Sequence, residues 1–263
     1  MGVFLTGDIH GQAHEVWFRL LDNDGEMLVR EGDTLVCLGD VGLLYGDYLM
    51  GDLRRVLSRL PCDVVVMRGN HDARYCRDMR SGLFAGKRGR ERDWCGGRVM
   101  YDEKYPNILY VPDEGGLFEL DGMRCLLVPG AFSADGEWRR QNDYPFEPDE
   151  QLTQPEMDAL MNVARCDRVD YVLSHTCPLS WEPHFRDLFL PGIDQSKVDR
   201  TMERWMDELL EATALTLRGW YFGHFHHDRT IPAAVPARML FRDVLSLGWG
   251  SGSGATPCAG SSR

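Results

Sequence analysis

The feature that most constrains this chain is a series of short apolar, β-branched runs, each followed by a glycine beside an acid, an amide or a histidine. Val3–Thr6, Thr34–Leu38 and Asp63–Met67 are too short for buried helices and read as buried strands. Helical patterns at Gln12–Leu21 and Tyr48–Leu60 separate them. Such alternation predicts βαβ units with helices covering a sheet, an α/β chain. Further strands are expected at Asn107–Val111, Leu117–Leu120, Met123–Val128, Asp170–Leu173, Trp220–Phe222, Met239–Phe241 and Val244–Leu247. Further helices fit Gln154–Ala164 and Lys197–Ala212. Asp121-Gly122 is a strong hairpin turn signal, because both residues tolerate positive φ. The basic stretch Arg80–Gly97 reads as an exposed excursion, and the Gly-, Ser- and Ala-rich tail 250–263 as a disordered end. No internal repeat or linker breaks the pattern, so residues 1–249 are read as one domain.

Charge narrows the partners. A formal net charge of −12 over 263 residues repels nucleic-acid backbones and anionic membranes. It also repels phosphate, so a phosphate site here needs local positive charge, which bound metal ions would supply. Lys87, Arg88, Arg90 and Arg92 are a local exception that keeps a nuclease reading open. The eight cysteines are scattered, with no CxxC pair, and several sit inside apolar runs. They read as reduced and mostly buried, in keeping with a cytoplasmic protein. No stretch approaches the roughly 20 apolar residues that span a bilayer, and no basic segment followed by an apolar core marks a secretory signal. Met1 to Thr6 matches an N-myristoylation pattern, but Val3–Thr6 is required as the first strand.

Five clusters follow expected strands: Gly7-Asp8-Ile9-His10-Gly11, Gly39-Asp40-Val41-Gly42, Gly69-Asn70-His71-Asp72, Ser174-His175-Thr176 and Gly223-His224-Phe225-His226. Loops at the carboxyl ends of strands converge in α/β sheets, so these side chains are presented to one crevice. Taken singly each is weak. A Gly-Asp pair is commonly a turn, and a lone histidine is more often a hydrogen-bonded core residue than a ligand. Their shared placement and ligand character are what point to a site. Carboxylate, amide and imidazole donors suit Mn²⁺ first, with Fe, Zn²⁺ or Ni²⁺ as alternatives.

The set Asp8-x-His10, Gly39-Asp40, Gly69-Asn70-His71-Asp72, His175 and Gly223-His224-x-His226 resembles the signature of the calcineurin-like metallophosphoesterase superfamily, in its bacterial or phage type. The resemblance implies a four-layer α/β/β/α sandwich of two mixed sheets, with a dinuclear metal site at the strand C-terminal edge. By the same resemblance, Asp8, His10, Asp40 and His226 are ligands of one ion. Asp40, Asn70, His175 and His224 are ligands of the other, with Asp40 bridging. The implied activity is hydrolysis of phosphate mono- or diesters by a metal-bridging hydroxide, with His71 assisting the leaving group. Small-molecule or nucleotide esters are favoured over phosphoproteins. Arg68 is a candidate phosphate contact. Ser133 and Asp135 are candidates for orienting the substrate or a ligand, Arg139-Arg140 for an anionic group, and Trp94 with Gly96-Gly97 for a lid.

The resemblance has one gap. Serine/threonine protein phosphatases carry Asp and Arg shortly after the second motif, where this chain has Leu43 and Leu44. His71 therefore lacks its usual acidic partner, a place Asp47 or Asp72 is left to fill. A phosphoprotein phosphatase and a non-catalytic scaffold of the same fold are the alternative readings, and retention of every ligand position argues against the scaffold.

Overall fold

A computed structural model describes residues 1–43, 53–84, 88–143, 146, 148–189 and 191–248. Its first sheet grows from β1 (Val3–Thr6), β2 (Thr34–Cys37) and β3 (Asp63–Val66), which pair in parallel with Val3 opposite Thr34 and Thr34 opposite Asp63. These strands are buried along almost their whole length, as a parallel sheet covered on both faces must be. Outside β3 lie β6 (Tyr105–Tyr110), parallel to it, and then β5 (Gly97–Asp102) and β4 (Arg90–Trp94), both antiparallel to their neighbours. On the other flank β13 (Val244–Ser246) pairs antiparallel with β1.

A second sheet contains β7 (Gly116–Leu120), β8 (Met123–Val128), β9 (Tyr171–Ser174), β10 (Gly219–Phe222), β11 (Arg229–Ile231) and β12 (Ala237–Met239) in the order β11-β12-β10-β9-β8-β7. Its centre is parallel, and β7 and β11 are antiparallel edges. The Asp121-Gly122 turn joining β7 to β8 has φ of 50° and 74°, the paired positive values of a tight hairpin turn.

Three apolar clusters show how the layers stack. Leu5, Val36, Val65, Leu109, Phe118, Leu127, Leu173 and Tyr221 pack between the inner faces of the two sheets. Helix α1 (Ala13–Arg19), helical residues 53–57 and α2 (Tyr75–Ser81) cover the outer face of the first sheet through Val16, Leu53, Leu57, Tyr75 and Met79. A short helix α3 (Gly136–Gln141) precedes α4 (Gln154–Cys166) and α5 (Thr201–Thr213). The latter two cover the second sheet with Met157, Leu160, Met202, Trp205, Met206 and Leu209. Each such side chain contributes on the order of 1.5–3 kcal/mol by leaving water. A reciprocal cap between Thr153 and Glu156 sets the start of α4. The result is the expected four-layer α/β/β/α arrangement of two mixed sheets.

One segment carries more structure than expected. The stretch read as an exposed excursion is exposed at Arg90, Glu91 and Asp93, but it also supplies β4, which forms a hairpin with β5 at a sheet edge. Its strand character is hidden in sequence because β4 reads Arg-Glu-Arg-Asp-Trp, a charged edge strand of the kind that resists pairing with other chains. Arg80 and Arg98 pair with Glu91, and Arg90 with Glu103. Trp94, a candidate lid residue, packs against Phe118 and donates to Asp63. The free cysteines 37, 62, 76, 125 and 177 are buried, Cys95 is half-buried and Cys166 exposed. Cys258, Asp47, Lys87 and the tail 250–263 lie outside the described residues. Among the described residues no helix is long and apolar enough to cross a membrane.

Candidate metal centre

All five motif loops leave the carboxyl ends of central strands: β1, β2 and β3 in one sheet, β9 and β10 in the other. The two sheets meet at this edge, which brings Asp8, Asp40, Asn70, His175, His224, His10 and His226 together. Four of these residues, His10, Asp40, His224 and His226, hold positive φ of 49°, 49°, 72° and 54°. A left-handed backbone in a non-glycine residue costs on the order of 1 kcal/mol and persists where the surroundings impose it. Here it turns each side chain back over the strand ends.

The close approach explains two glycines. A Cβ at Gly39 would stand 2.2 Å from Nδ1 of His175, and one at Gly69 2.1 Å from Oδ1 of Asp40 and 2.6 Å from Nε2 of His175. Asp72 sits behind them. Its carboxylate accepts backbone N–H groups of Val41, Gly42 and Gly69 at 3.0–3.1 Å, and the Tyr75 hydroxyl at 2.5 Å. It therefore ties the second loop to the third and is not the partner of His71.

Two groups of donors form. In the first, one ligand atom each from Asp8, His10, Asp40 and His226 lie within 4.8 Å of one another. Donors around one ion at about 2.1 Å stand at most roughly 4.2 Å apart, so little adjustment would seat an ion here. Nε2 of His10 and Nε2 of His226 are only 2.8 Å apart. In the second, Oδ1 of Asn70 lies 2.9 Å from Nε2 of His175 and 2.9 Å from Nδ1 of His224. Nε2 of His175 is 3.5 Å from Oδ1 of Asp40, which belongs to both groups. His175 is fixed from behind, since Nδ1 donates to the Leu38 carbonyl at 2.7 Å and leaves Nε2 facing the site. Asn70 is fixed likewise. Its Nδ2 donates to Oγ of Ser133 at 2.8 Å, and Ser133 in turn donates its N–H to Glu150.

Electrostatics prepare these atoms as ligands. Burial pushes His10 down to about 4, and lowers His224 and His226 as well, so all three are neutral imidazoles at neutral pH. Burial raises Asp8 to about 7, partly opposed by His175. Burial also acts to raise Asp40, but His175, His71 and His10 outweigh it and hold that carboxylate ionised. His175 is the counterpart: burial lowers it, and Asp40 with Asp8 overcome this to raise it to about 9. Two buried carboxylates, an amide oxygen and four imidazoles, three of them neutral, form an oxygen- and nitrogen-rich pocket, and such donors suit divalent metal ions.

His71 follows Asn70 but joins neither group. Its backbone N–H donates to Oδ1 of Asp40 at 2.8 Å, and its ring stands at right angles to that of His10 with centroids 5.4 Å apart. It lines a cleft of about 240 Å³ that opens beside Asp40, Asn70, His224 and His226. Arg68 does not line this cleft. Its guanidinium is buried and donates to the carbonyls of Asp113 and Glu150 at 3.0 and 2.5 Å. The structure thus corrects the reading of Arg68 as a phosphate contact: the carbonyls of Asp113 and Glu150 hold its buried guanidinium away from the cleft. Arg139, a candidate with Arg140 for holding an anionic group, is also buried and donates to Oγ of Ser133 at 3.2 Å. Sequence reasoning missed Glu203 and Arg200 on the cleft wall, because a lone acid near a helix start carries no signal by itself. It also missed Arg19, whose Nη2 donates to the Asp8 carbonyl at 2.8 Å.

Two sheets with a donor cluster at their shared edge define the class. This chain belongs to the calcineurin-like phosphoesterase family, whose profile matches residues 1–228. Among solved structures, it is similar to the phosphopantetheinyl hydrolase of Mycobacterium tuberculosis at 14% identity and a TM-score of 0.50, covering 91% of this chain and 89% of that one. It also matches a protein of unknown function from Aquifex aeolicus, AQ665, at 16% identity and a TM-score of 0.36, over 66% of this chain and 80% of that one. The first of these is a likeness of fold alone. No curated protein matches the chain.

Proposed function

We propose that this chain is a divalent-metal-dependent hydrolase of small phosphate esters, in which Asp8, His10, Asp40 and His226 hold one ion and Asp40, Asn70, His175 and His224 a second. The observation that carries the proposal is the convergence of these donors from five strand ends, with Asp40 facing both groups and three imidazoles kept neutral. Mn²⁺, Fe, Zn²⁺ and Ni²⁺ all suit such a mixed donor set, and Mn²⁺ is the ion chosen for the test. Bound there, the ions supply charge neutralisation for the phosphoryl oxygens and an acidified water.

The chain's own residues do the rest. Asp40 presents one oxygen to each donor group and is held by the His71 N–H. Asn70 contributes an amide oxygen whose direction Ser133 sets. His71 lies on the cleft beside both groups, where its ring can carry a proton to the departing ester oxygen. The cleft volume of about 240 Å³ lies just below the ~300–1,000 Å³ usual for small-molecule sites, which favours a small ester over a phosphoprotein segment.

The test strips the protein with a chelator and measures hydrolysis of a chromogenic phosphomonoester and phosphodiester with and without Mn²⁺. Turnover restored by Mn²⁺ and abolished by Asp40→Asn is the expected result. Equal turnover without metal, or none with two ions bound per chain, would overturn the proposal.

A further inference from the structure

The cleft has a wall that the donor groups do not explain. Phe132, Leu188, Phe189, Val198 and Phe225 border the same cavity as His71 and the donors. All five are half-buried. Leu188, Phe189 and Phe225 rest on the apolar cluster that covers the second sheet. Phe185, fully buried beneath them, ties the rings together: its centroid lies 4.5 Å from that of Phe225 and 6.1 Å from that of Phe189. Phe225 also stands between His224 and His226 in the chain, with its ring 4.8 Å from that of His224. The apolar wall therefore begins at the donor groups themselves, and aromatic contacts with the core hold it in place.

Side chains of this kind are complementary to an organic group that leaves water to lie against them. Each methylene so transferred favours binding by about fourfold. Charge at the same walls works against a second anion, since Asp135 and Glu182 line the cavity too. Arg200 lines it as well, but its guanidinium is committed. It donates to Glu182 at 2.6 Å and to the backbone and side-chain oxygens of Gln195, and it lies 5.9 Å over the Phe189 ring. Among the described residues that line the cavity, no other lysine or arginine stands beside it.

We propose that, given the phosphoesterase reading, this wall is a specificity subsite that takes phosphate esters of an uncharged, apolar alkyl or aryl group and rejects esters bearing a second negative charge. The phosphate sits at the donor groups, and the organic group lies along Phe225 against Phe189 and Val198.

Ethyl, hexyl and 5-carboxypentyl phosphate separate the two effects, because their leaving alcohols are nearly equal in acidity and differ in apolar length and terminal charge. Where the protein prefers diesters, the methyl diesters of the same alcohols serve. With the Mn²⁺-loaded protein, kcat/KM for the hexyl ester is expected to exceed that for the ethyl ester by at least about tenfold, a fraction of the roughly 200-fold that four fully buried methylenes would give. The 5-carboxypentyl ester should fall at least about tenfold below the hexyl ester. Equal turnover of these two would overturn the rejection of anions. In Phe189→Asn the hexyl-to-ethyl ratio should drop by at least about threefold. A merely structural role for Phe189 would lower both esters together and keep the ratio, against the proposal. Val198→Ser is the second variant, should Phe189→Asn not fold.

Hexylphosphonate and ethylphosphonate, which have no ester bond to hydrolyse, are compared by calorimetry on the Mn²⁺-loaded protein as a readout independent of turnover. The same preference of about tenfold is expected. Metal-dependent hydrolysis with a flat hexyl-to-ethyl ratio sinks the subsite and leaves the phosphoesterase reading standing. Tighter binding of hexylphosphonate without hydrolysis of any ester supports the subsite and places the failure on the phosphoesterase reading. Equal binding of the two phosphonates overturns the subsite whatever the turnover.

Discussion

Replacing Ser133 by alanine removes a group that belongs to neither donor set, yet it should weaken one of them selectively. Oγ of Ser133 accepts from Nδ2 of Asn70 at 2.8 Å and from Nη1 of Arg139 at 3.2 Å, with all three residues buried. Without it the amide N–H loses its acceptor, a loss of about 1–3 kcal/mol. Asn70 can recover part of that by rotating its amide, but the rotation turns Nδ2 toward His175 and His224 and takes the oxygen away. The orientation needed for ligation is then disfavoured by roughly the same amount, which corresponds to about 10–100-fold in affinity for the ion at Asn70. The ion at Asp8, His10 and His226 should be nearly unaffected, because no atom of that group touches Ser133. Titration of the chelated protein with Mn²⁺ by calorimetry resolves the two affinities, and a melting curve checks that the fold persists. Two unchanged affinities would refute the reasoning, and so would a loss in both sites of equal size.

The other predictions concern the same edge. His71→Ala should cut turnover by about 10²–10⁴-fold while leaving two Mn²⁺ per chain, measured by metal analysis beside kcat; metal loss would make His71 a ligand instead. Gly69→Ala should lower stability by about 1–3 kcal/mol and weaken Mn²⁺ binding, since its Cβ would meet Asp40 and His175; wild-type melting and metal affinity would contradict this close-approach account. The metal-free protein should lose stability between about pH 7 and 9. His175 is raised from about 6.5 to about 9 in the folded state, so its contribution is fully present below 6.5 and disappears as pH climbs through 9. Melting temperature against pH, compared with His175→Gln, checks this, and a parallel decline in both proteins would refute it.

Much of this protein was legible in its sequence. Strands β1, β2, β3 and β8 were readable because a strand buried on both faces is a run of apolar residues. The turn at Asp121-Gly122 was readable because few residues accept positive φ. The seven donors stood out because each follows such a strand, and strand ends are where α/β loops converge. Edge β4 was not legible, because its charged residues satisfy themselves across the hairpin and not in a core.

The sequence by itself determined the layered α/β architecture and the donor types, because local periodicity and side-chain chemistry are properties of neighbouring residues. The tertiary structure decided which groups face which. Arg68 precedes the third motif and Asp72 closes it, yet one braces loops through carbonyls and the other clamps backbone N–H groups. Ser133 behind Asn70 and Phe189 on the cleft wall come from distant segments and owe their roles to packing alone. Contacts between residues far apart in the chain depend on how the two sheets meet, and no local pattern encodes that meeting.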